Sequence, residues 1–285
     1  MNRTVLEVKG LTKRYQGFTL QDISLTLPAG YIMGYIGQNG AGKTTTLNAI
    51  THLIRPDAGE TTVNGITFAR DPVSYRDSIG YIGDAAYFPP ELTLGDVRKI
   101  LKSFYPSFDA ARYDVCVRQW NLPEKEKIKN YSRGMKVKLM FAAVLSRDTK
   151  LLILDEATNG LDPIVRREVL RLLQEYIADG TRSVLFSTHI MEDLQDIADY
   201  IFFIDRGKKI FCEPRDDLLE RYLLVKGGMQ ELTPRLEKAL IGVEKHSFGF
   251  EGLFDTDGGE ILPAGVTVER PTIDAIVVQS IEGAK

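Results

Sequence analysis

Apolar and polar positions in the first seventy residues predict strands on both sides of one helix. Residues 5–8 and 18–27 carry apolar side chains in a mostly alternating pattern, which is typical of half-buried strands. A short apolar run over 31–36 predicts a buried strand, and apolar residues with helical spacing follow over 43–54. Residues 60–69 return to a strand pattern. This part of the chain therefore mixes strands with a helix.

The middle of the chain continues the alternation of helix and strand. Residues 93–145 have mainly helical spacing, whereas 150–155 form a continuous apolar run, as in parallel strands buried on both faces. Asp162-Pro163 supplies an N-cap and a first helical residue for the next helix. Residues 183–187 and 200–204 predict two more strands. The alternation predicts an α/β fold with a largely parallel sheet.

The pattern changes after residue 215. A helix is predicted over 216–225, and the rest consists of short strand and turn patterns with many glycines. We therefore divide the chain into a main domain over 1–215 and an accessory segment over 216–285. Residues 86–148 form a mainly helical part within the main domain.

Composition excludes several classes of protein. Of the 285 residues, 44% are hydrophobic and 26% are charged, and the net charge of −3 gives no basic field for nucleic acid. Cys116 and Cys212 fit no metal spacing and are predicted to be buried thiols in a reducing compartment. We see no signal peptide and no apolar run of membrane-spanning length. If the protein works at a membrane, another chain must supply the membrane part.

The strongest chemical signal is the run from Gly37 to Thr44, which has the P-loop form between a predicted strand and a predicted helix. Its glycines let successive backbone N–H groups point at one phosphate, next to a helix N-terminus. Lys43 is predicted to reach the β- and γ-phosphates, and Thr44 to offer its hydroxyl to Mg²⁺. The predicted nucleotide-binding residues of the loop are Gly37, Gln38, Asn39, Gly40, Ala41, Gly42, Lys43, Thr44 and Thr45.

A P-loop alone leaves kinases, GTPases and motor ATPases open, but a second motif narrows the choice. Residues 151–156 have the Walker B form, in which four apolar residues precede two carboxylates. Asp155 is predicted to hold Mg²⁺, and Glu156 to act as general base on the attacking water.

At this point the sequence resembles the ATP-binding cassette (ABC) ATPases over about residues 3–213, with the motifs of the family in order. The family's signature motif corresponds to residues 131–135, where Ser132 can cap the next helix. The resemblance implies that Ser132 and Gly134 bind the γ-phosphate held by a second subunit. The variants at Arg133 and Met135 resemble those of bacterial ABC-2-type drug and peptide exporters.

A further loop and two single residues have counterparts in the family. Residues 158–162 resemble its D-loop, with Asn159 where serine is usual. His189 follows a predicted strand and resembles the switch histidine that contacts the γ-phosphate. Tyr15 matches the aromatic residue that stacks on adenine.

One position departs from the family pattern. Asp84 stands where the Q-loop glutamine is expected, and that glutamine touches Mg²⁺ and senses the membrane subunit. A carboxylate can still face Mg²⁺, but when ionised it cannot donate a hydrogen bond. We therefore predict Asp84 as a metal ligand, with retained nucleotide binding and altered coupling.

The resemblance implies an α/β fold of the P-loop NTPase class, specifically an ABC-type ATPase. Such a fold has a mostly parallel core sheet, an N-terminal antiparallel β subdomain, a helical signature subdomain and, here, a small C-terminal extension. It implies ATP and Mg²⁺ as ligands, a second ABC ATPase subunit in a homo- or heterodimer, and separate transmembrane permease subunits. It places the chain on the cytoplasmic, inner face of the cell membrane, with export as the favoured direction and no nucleic acid as partner. The alternatives are a soluble ABC ATPase acting on nucleic acid or ribosomes and a P-loop phosphotransferase.

Overall fold

The computed structural model describes residues 3–84, 87–258, 262–263 and 265–283. The strands are β1 (Thr4–Tyr15), β2 (Phe18–Pro28), β3 (Ile32–Ile36), β4 (Ala58–Val63), β5 (Ile66–Thr67), β6 (Ile79–Gly83), β7 (Leu151–Asp155), β8 (Ser183–Ser187), β9 (Tyr200–Asp205), β10 (Lys208–Pro214), β11 (Tyr222–Gly227), β12 (Leu240–His246), β13 (Gly249–Asp255) and β14 (Thr267–Glu269). The helices are α1 (Lys43–Ile50), α2 (Pro72–Asp77), α3 (Leu94–Phe104), α4 (Ala110–Gln119), α5 (Arg133–Leu145), α6 (Pro163–Ile177), α7 (Met191–Ile197), α8 (Arg215–Arg221), α9 (Pro234–Ala239) and α10 (Ile273–Gly283).

Two sheets build the main domain. The N-terminal sheet is antiparallel in the order β2-β1-β4-β5, and the central sheet has the order β10-β9-β3-β8-β7-β6. The central strands are parallel except β10, which pairs antiparallel with β9. The predicted mostly parallel core sheet and antiparallel N-terminal subdomain are therefore confirmed.

The topology of the central sheet brings three loops together. Strands β3, β8 and β7 are neighbours and run in the same direction, so their carboxyl ends share one edge of the sheet. The P-loop leaves β3 at this edge, Asp155 and Glu156 lie at the end of β7, and His189 follows β8. The central strands are buried on both faces, as their continuous apolar runs predict.

Helices α3, α4 and α5 form the predicted helical part beside the sheet. They share a separate hydrophobic core that includes Val97, Tyr113 and Leu139. The other face of α5 packs on the sheet, where Val144 comes so close to Gly80 that a Cβ there would lie 2.3 Å from its Cγ1. This helix therefore connects the helical part rigidly to β6.

Helix α1 is shorter than predicted, because it ends at Ile50 and not at residue 54. His52 has a φ of 54°, which lies in the left-handed region and cannot continue a helix. Its ring stacks on Phe68 with centroids 4.0 Å apart, and His52 Nε2 lies 3.3 Å from the hydroxyl of Thr61. These tertiary contacts hold a conformation that helical periodicity does not reveal.

The helix predicted over 216–225 is wrong in its second half. Helix α8 ends at Arg221, and Tyr222 begins a strand that pairs antiparallel with β13. Arg221 donates to Asp255 at 2.7 Å, so the chain turns toward β13 at this point. The sequence patterns also missed α9 and α10 in this segment.

The last strands form a third sheet in the order β12-β13-β11-β14. Its own core includes Val225, Leu236 and Phe250, but Ile276 on α10 and Leu218 on α8 belong to the core of the main domain. The division at residue 215 stays a prediction, because buried residues on both sides of it share one core. Within the part of the chain that the structure describes, no helix is both long and apolar enough to cross a membrane.

Candidate active site

The P-loop wraps tightly between β3 and α1. A Cβ at Gly37 would lie 2.5 Å from the carbonyl oxygen of Ile204, and Gly42 has a φ of 112°, so both positions require glycine. The side chain of Lys43 is 5% exposed, and its Nζ donates to the carbonyl oxygens of Gly37 at 2.7 Å and Gln38 at 3.2 Å. The loop therefore holds a buried ammonium group at its centre.

A cleft of about 430 Å³ lies above this loop. Its lining residues are Phe18, Gln38, Asn39, Gly40, Gly42, Lys43, Thr44, Thr45 and Glu156. Ala41 is buried below the loop, where its carbonyl oxygen accepts a hydrogen bond from the Gly207 N–H at 2.9 Å. The structure thus brings most of the predicted loop residues and the second carboxylate to one cleft.

Asp155 ends β7 with its side chain buried beside the P-loop. Burial raises the pKa of its carboxyl group, while the Thr44 and Tyr81 hydroxyls lower that pKa and the negative charge of Glu156 raises it. The Tyr81 hydroxyl donates to Asp155 Oδ2 at 3.3 Å. In the described part of the chain, Oδ1 of Asp155 has no hydrogen-bond partner within 3.5 Å, and the buried hydroxyl of Ser187 lies on the adjacent strand. This carboxylate can therefore take a further ligand.

Glu156 is held in a strained conformation at the edge of the same cleft. Its φ of 53° is left-handed, which costs a residue with a side chain about 1–3 kcal/mol. Its N–H donates to the carbonyl oxygen of Ser187 at 2.9 Å. Oε1 of its carboxylate lies 3.7 Å from Lys43 Nζ, and Oε2 lies 3.9 Å from His189 Nδ1. The strain aims the carboxylate at the cleft between a lysine and a histidine.

The loop after β7 is tied to the helix after His189. Thr158 is buried, and its hydroxyl donates to Asp193 on α7 at 3.2 Å. Asp193 in turn accepts from Arg166 on α6 at 2.5 Å. Burial raises the pKa of Asp193, and its contacts with Arg166 lower it. Through this network the loop carrying Asn159 and the segment carrying His189 have fixed relative positions.

The signature residues lie in a different cleft of the same chain. Ser132 is the N-cap of α5, as predicted, and accepts from the Met135 N–H at 3.2 Å. Ser132 and Gly134 line a cleft of about 350 Å³ together with Gly160 and Asp162 of the predicted D-loop. Neither residue lines the P-loop cleft of its own chain.

Asp84 and Tyr15, two of the predicted site residues, do not line the P-loop cleft. Asp84 forms an ion pair with Arg133, and both side chains line a cleft between the end of β6 and α5. Tyr15 ends β1 and is half exposed, with Lys13 Nζ 5.7 Å from the centre of its ring. The structure therefore pairs the Asp84 carboxylate with the signature motif, although the preceding residue, Gly83, lies beside Asp155 in the β6–β7 pairing.

Sequence reasoning missed two residues of the site. Phe18 lines the P-loop cleft, and it pairs across the β1–β2 turn with Tyr15. Tyr81 contacts Asp155. It lies on β6, next to β7, three residues before Asp84, and this position could have indicated its contact with the Walker B carboxylate. Asn159 was noted only as a departure from the family, but it hydrogen-bonds Glu156.

Comparison with known proteins identifies the family. Residues 20–159 match the ABC transporter family. The chain is 30% identical to the ABC transporter ATP-binding protein YtrB of Bacillus subtilis (strain 168) over 223 residues, which is 78% of this chain and 76% of YtrB. It is 34% identical to the daunorubicin resistance ATP-binding protein DrrA3 of Streptomyces coeruleorubidus, over 76% of this chain and 71% of DrrA3.

A solved structure gives the same result. An ATP-binding subunit of an ABC transporter superposes with a TM-score of 0.70 at 29% identity, covering 76% of this chain and 92% of that one. The fold coincides with the expectation from sequence. The chain therefore belongs to the ABC transporter family, in which it is an ATP-binding subunit and an ATPase.

Proposed function

We propose that two cassettes of this kind form a dimer that sandwiches two ATP molecules and drives separate membrane subunits in export. The dimer is supported by one observation, which is that the P-loop and the signature motif of one chain lie in separate clefts. The P-loop cleft contains Lys43 and Glu156, whereas Ser132 and Gly134 lie at the helix N-terminus in another cleft. A helix N-terminus favours an anion, so a second subunit can complete each site by placing its signature motif on the γ-phosphate.

The residues beside Lys43 fit a divalent cation. Asp155 Oδ1 is a buried carboxylate oxygen without a partner among the described residues, and the Thr44 hydroxyl lies close to the same carboxylate. Oxygen donors of this kind are the ligands that Mg²⁺ prefers. We assign Thr44 and Asp155 to Mg²⁺, which when bound neutralises phosphate charge. Asp84 is not assigned to it, because its carboxylate is paired with Arg133.

The remaining groups of the cleft have separate roles in ATP hydrolysis. Glu156 accepts the proton of the attacking water, because its carboxylate borders the cleft and is aimed at it by the backbone. Lys43 supplies fixed positive charge to the phosphates, and its 3.7 Å distance from Glu156 keeps that carboxylate near the reacting group. His189, 57% exposed beside Glu156, contacts the γ-phosphate.

A groove of about 460 Å³ provides the surface for the membrane subunit. It lies between α2 and α3 and is lined mostly by apolar and aromatic side chains, including Val73, Tyr87 and Phe104. Phe104 is 75% exposed. Exposed apolar side chains that cluster in a groove are typical of an interaction site. The groove shares Phe88 with the cleft that contains Asp84, so it borders the loop expected to sense the partner. Export as the direction is supported by the similarity to DrrA3, a daunorubicin resistance protein.

Affinity purification from gently solubilised membranes tests this assignment. We expect the chain to recover membrane proteins, and Phe104→Asp to lower that recovery at least about tenfold, because a charge replaces an exposed apolar contact in the groove. Val115→Asp is the matched control, since Val115 is also exposed but lies on α4 outside the groove. Absence of membrane proteins in the wild-type sample would contradict the transporter role, and equal loss in both variants would contradict the groove.

The Asp84–Arg133 ion pair predicts an effect on the coupling between the membrane subunit and ATP hydrolysis. Asp84 follows β6 beside the groove, and Arg133 lies in the signature motif, so the pair joins the partner-facing loop to the half-site for ATP. We expect Asp84→Gln to leave ATP binding unchanged and to alter partner-stimulated turnover by about two- to fivefold, the scale of one exposed ion pair. Stimulated and basal phosphate release measure this difference.

A double-mutant cycle with Arg133→Gln checks that the effect belongs to the pair. The double variant should behave like either single variant, because each single change already breaks the contact. Asp114→Asn is the matched control, since Asp114 pairs with Arg98 on the same helical part without touching the signature. Unchanged stimulation in Asp84→Gln, or strictly multiplicative effects in the cycle, would contradict the prediction.

A further inference from the structure

Asn159 binds Glu156 through both its backbone and its side chain. Its N–H donates to the carbonyl oxygen of Glu156 at 3.1 Å, which closes a tight turn after β7. Its side-chain Nδ2 donates to Oε2 of the Glu156 carboxylate at 2.9 Å. The residue is therefore placed to control where this carboxylate points.

The two other polar groups near the carboxylate attract it by charge but do not hydrogen-bond it. Lys43 Nζ is 3.7 Å from Oε1 and His189 Nδ1 is 3.9 Å from Oε2, both beyond hydrogen-bond length. In the described part of the chain, the amide of Asn159 gives the only hydrogen bond that this carboxylate accepts. It occupies Oε2 and leaves Oε1, on the side of Lys43, to accept from another donor.

The chemistry of an amide suits this position. An amide N–H remains a neutral donor at every working pH, so it holds a carboxylate without neutralising it. The arrangement is costly, because Oδ1 of Asn159 is buried without a partner among the described residues. The backbone hydrogen bond already closes the turn, so the contact of Nδ2 is not needed for that purpose.

We propose that Asn159 is a positioning residue that fixes the Glu156 carboxylate for proton transfer from water. This inference rests on the proposed role of Glu156 as general base. It also explains the departure from the serine usual in the family, since a serine hydroxyl is shorter and the amide spans the distance to Oε2.

Steady-state ATP hydrolysis by the full chain tests the proposal. We expect Asn159→Ala to lower kcat roughly tenfold or more with KM for ATP changed less than about twofold, because the lost hydrogen bond serves the base and not the nucleotide. Asn159→Asp should lower kcat further, since it places a second negative charge beside Glu156. Both variants keep the backbone N–H that closes the turn.

Gln174 on α6 supplies matched controls. Its side chain is exposed and far along the helix from the cleft, so Gln174→Ala and Gln174→Glu should leave kcat unchanged. A KM effect without a kcat effect in Asn159→Ala, or wild-type kinetics in both Asn159 variants, would overturn the proposal.

The Glu156→Gln background separates positioning from general structural damage. If Asn159 acts through the carboxylate, adding Asn159→Ala to Glu156→Gln should change the residual single-turnover rate less than about twofold. A structural role would lower the rate by the same factor in both backgrounds, and that result would overturn the inference. Wild-type turnover in Glu156→Gln alone would instead refute the proposed base, whatever the effect of Asn159.

Discussion

Replacing Glu156 by glutamine is expected to lower ATP turnover by roughly 100- to 10,000-fold, the usual contribution of general base catalysis. Glutamine has the shape of glutamate but cannot accept a proton, so the chemistry is lost while the cleft keeps its form. ATP binding should stay within about twofold, because the P-loop contacts of Lys43 remain. Phosphate release and equilibrium binding of labelled ATP measure the two quantities.

The same variant should accumulate as a closed dimer in the presence of ATP and Mg²⁺, since the sandwich forms but is not hydrolysed. Size-exclusion chromatography with light scattering detects it. Glu175→Gln is a suitable control, because Glu175 is exposed on α6 and should not affect turnover. Full activity of Glu156→Gln would remove this residue from the catalytic role.

Truncating Arg147 to alanine is expected to lower the free energy of unfolding by about 3–5 kcal/mol, as for other buried charges whose partners are left behind. Arg147 is buried, and its guanidinium donates to the carbonyl oxygens of Arg76, Asp77 and Ile79 at 2.9–3.2 Å. It also stacks over Tyr105 at 3.5 Å. One side chain thus donates to three carbonyl groups between α2 and β6, and alanine would remove all three contacts.

Urea unfolding followed by circular dichroism gives this difference. Arg171→Ala is the control, because Arg171 is exposed on α6 and its removal should change stability by less than about 0.5 kcal/mol. A loss below about 1 kcal/mol for Arg147→Ala would show that water or a neighbouring group replaces the guanidinium. Tyr105 lines the groove that we propose for the membrane partner, and Arg147 lines the adjoining cleft, so we expect partner binding to weaken together with stability.

The fold and the P-loop cleft were predictable because they depend on patterns within short segments of the sequence. Buried parallel strands have continuous apolar runs, and Asp162-Pro163 starts α6 by the chemistry of its own side chains. The P-loop must be glycine-rich for steric reasons, as the contact of Gly37 with Ile204 shows. Once the strand order is that of a parallel sheet, Asp155 and Glu156 necessarily meet the loop at its carboxyl edge.

The remaining features depend on contacts between distant segments. His52 ends α1 early through Phe68, and Tyr222 joins a sheet because β13 offers it a partner. The pairing of Asp84 with Arg133 joins two departures from the family pattern that the sequence showed separately. No periodicity or motif spacing encodes which exposed carboxylate meets which guanidinium.

The burial of Asp155 also links nucleotide binding to the stability of the protein. Since burial raises its pKa, the stability that protonated Asp155 gives is present in acid and is lost as the pH rises through that pKa. At cellular pH the buried charge therefore works against folding until a ligand brings positive charge to it. Saturation at a hundredfold excess over Kd adds about 2.7 kcal/mol. Without nucleotide this contribution is absent, so the cassette would unfold more often and be more open to proteases.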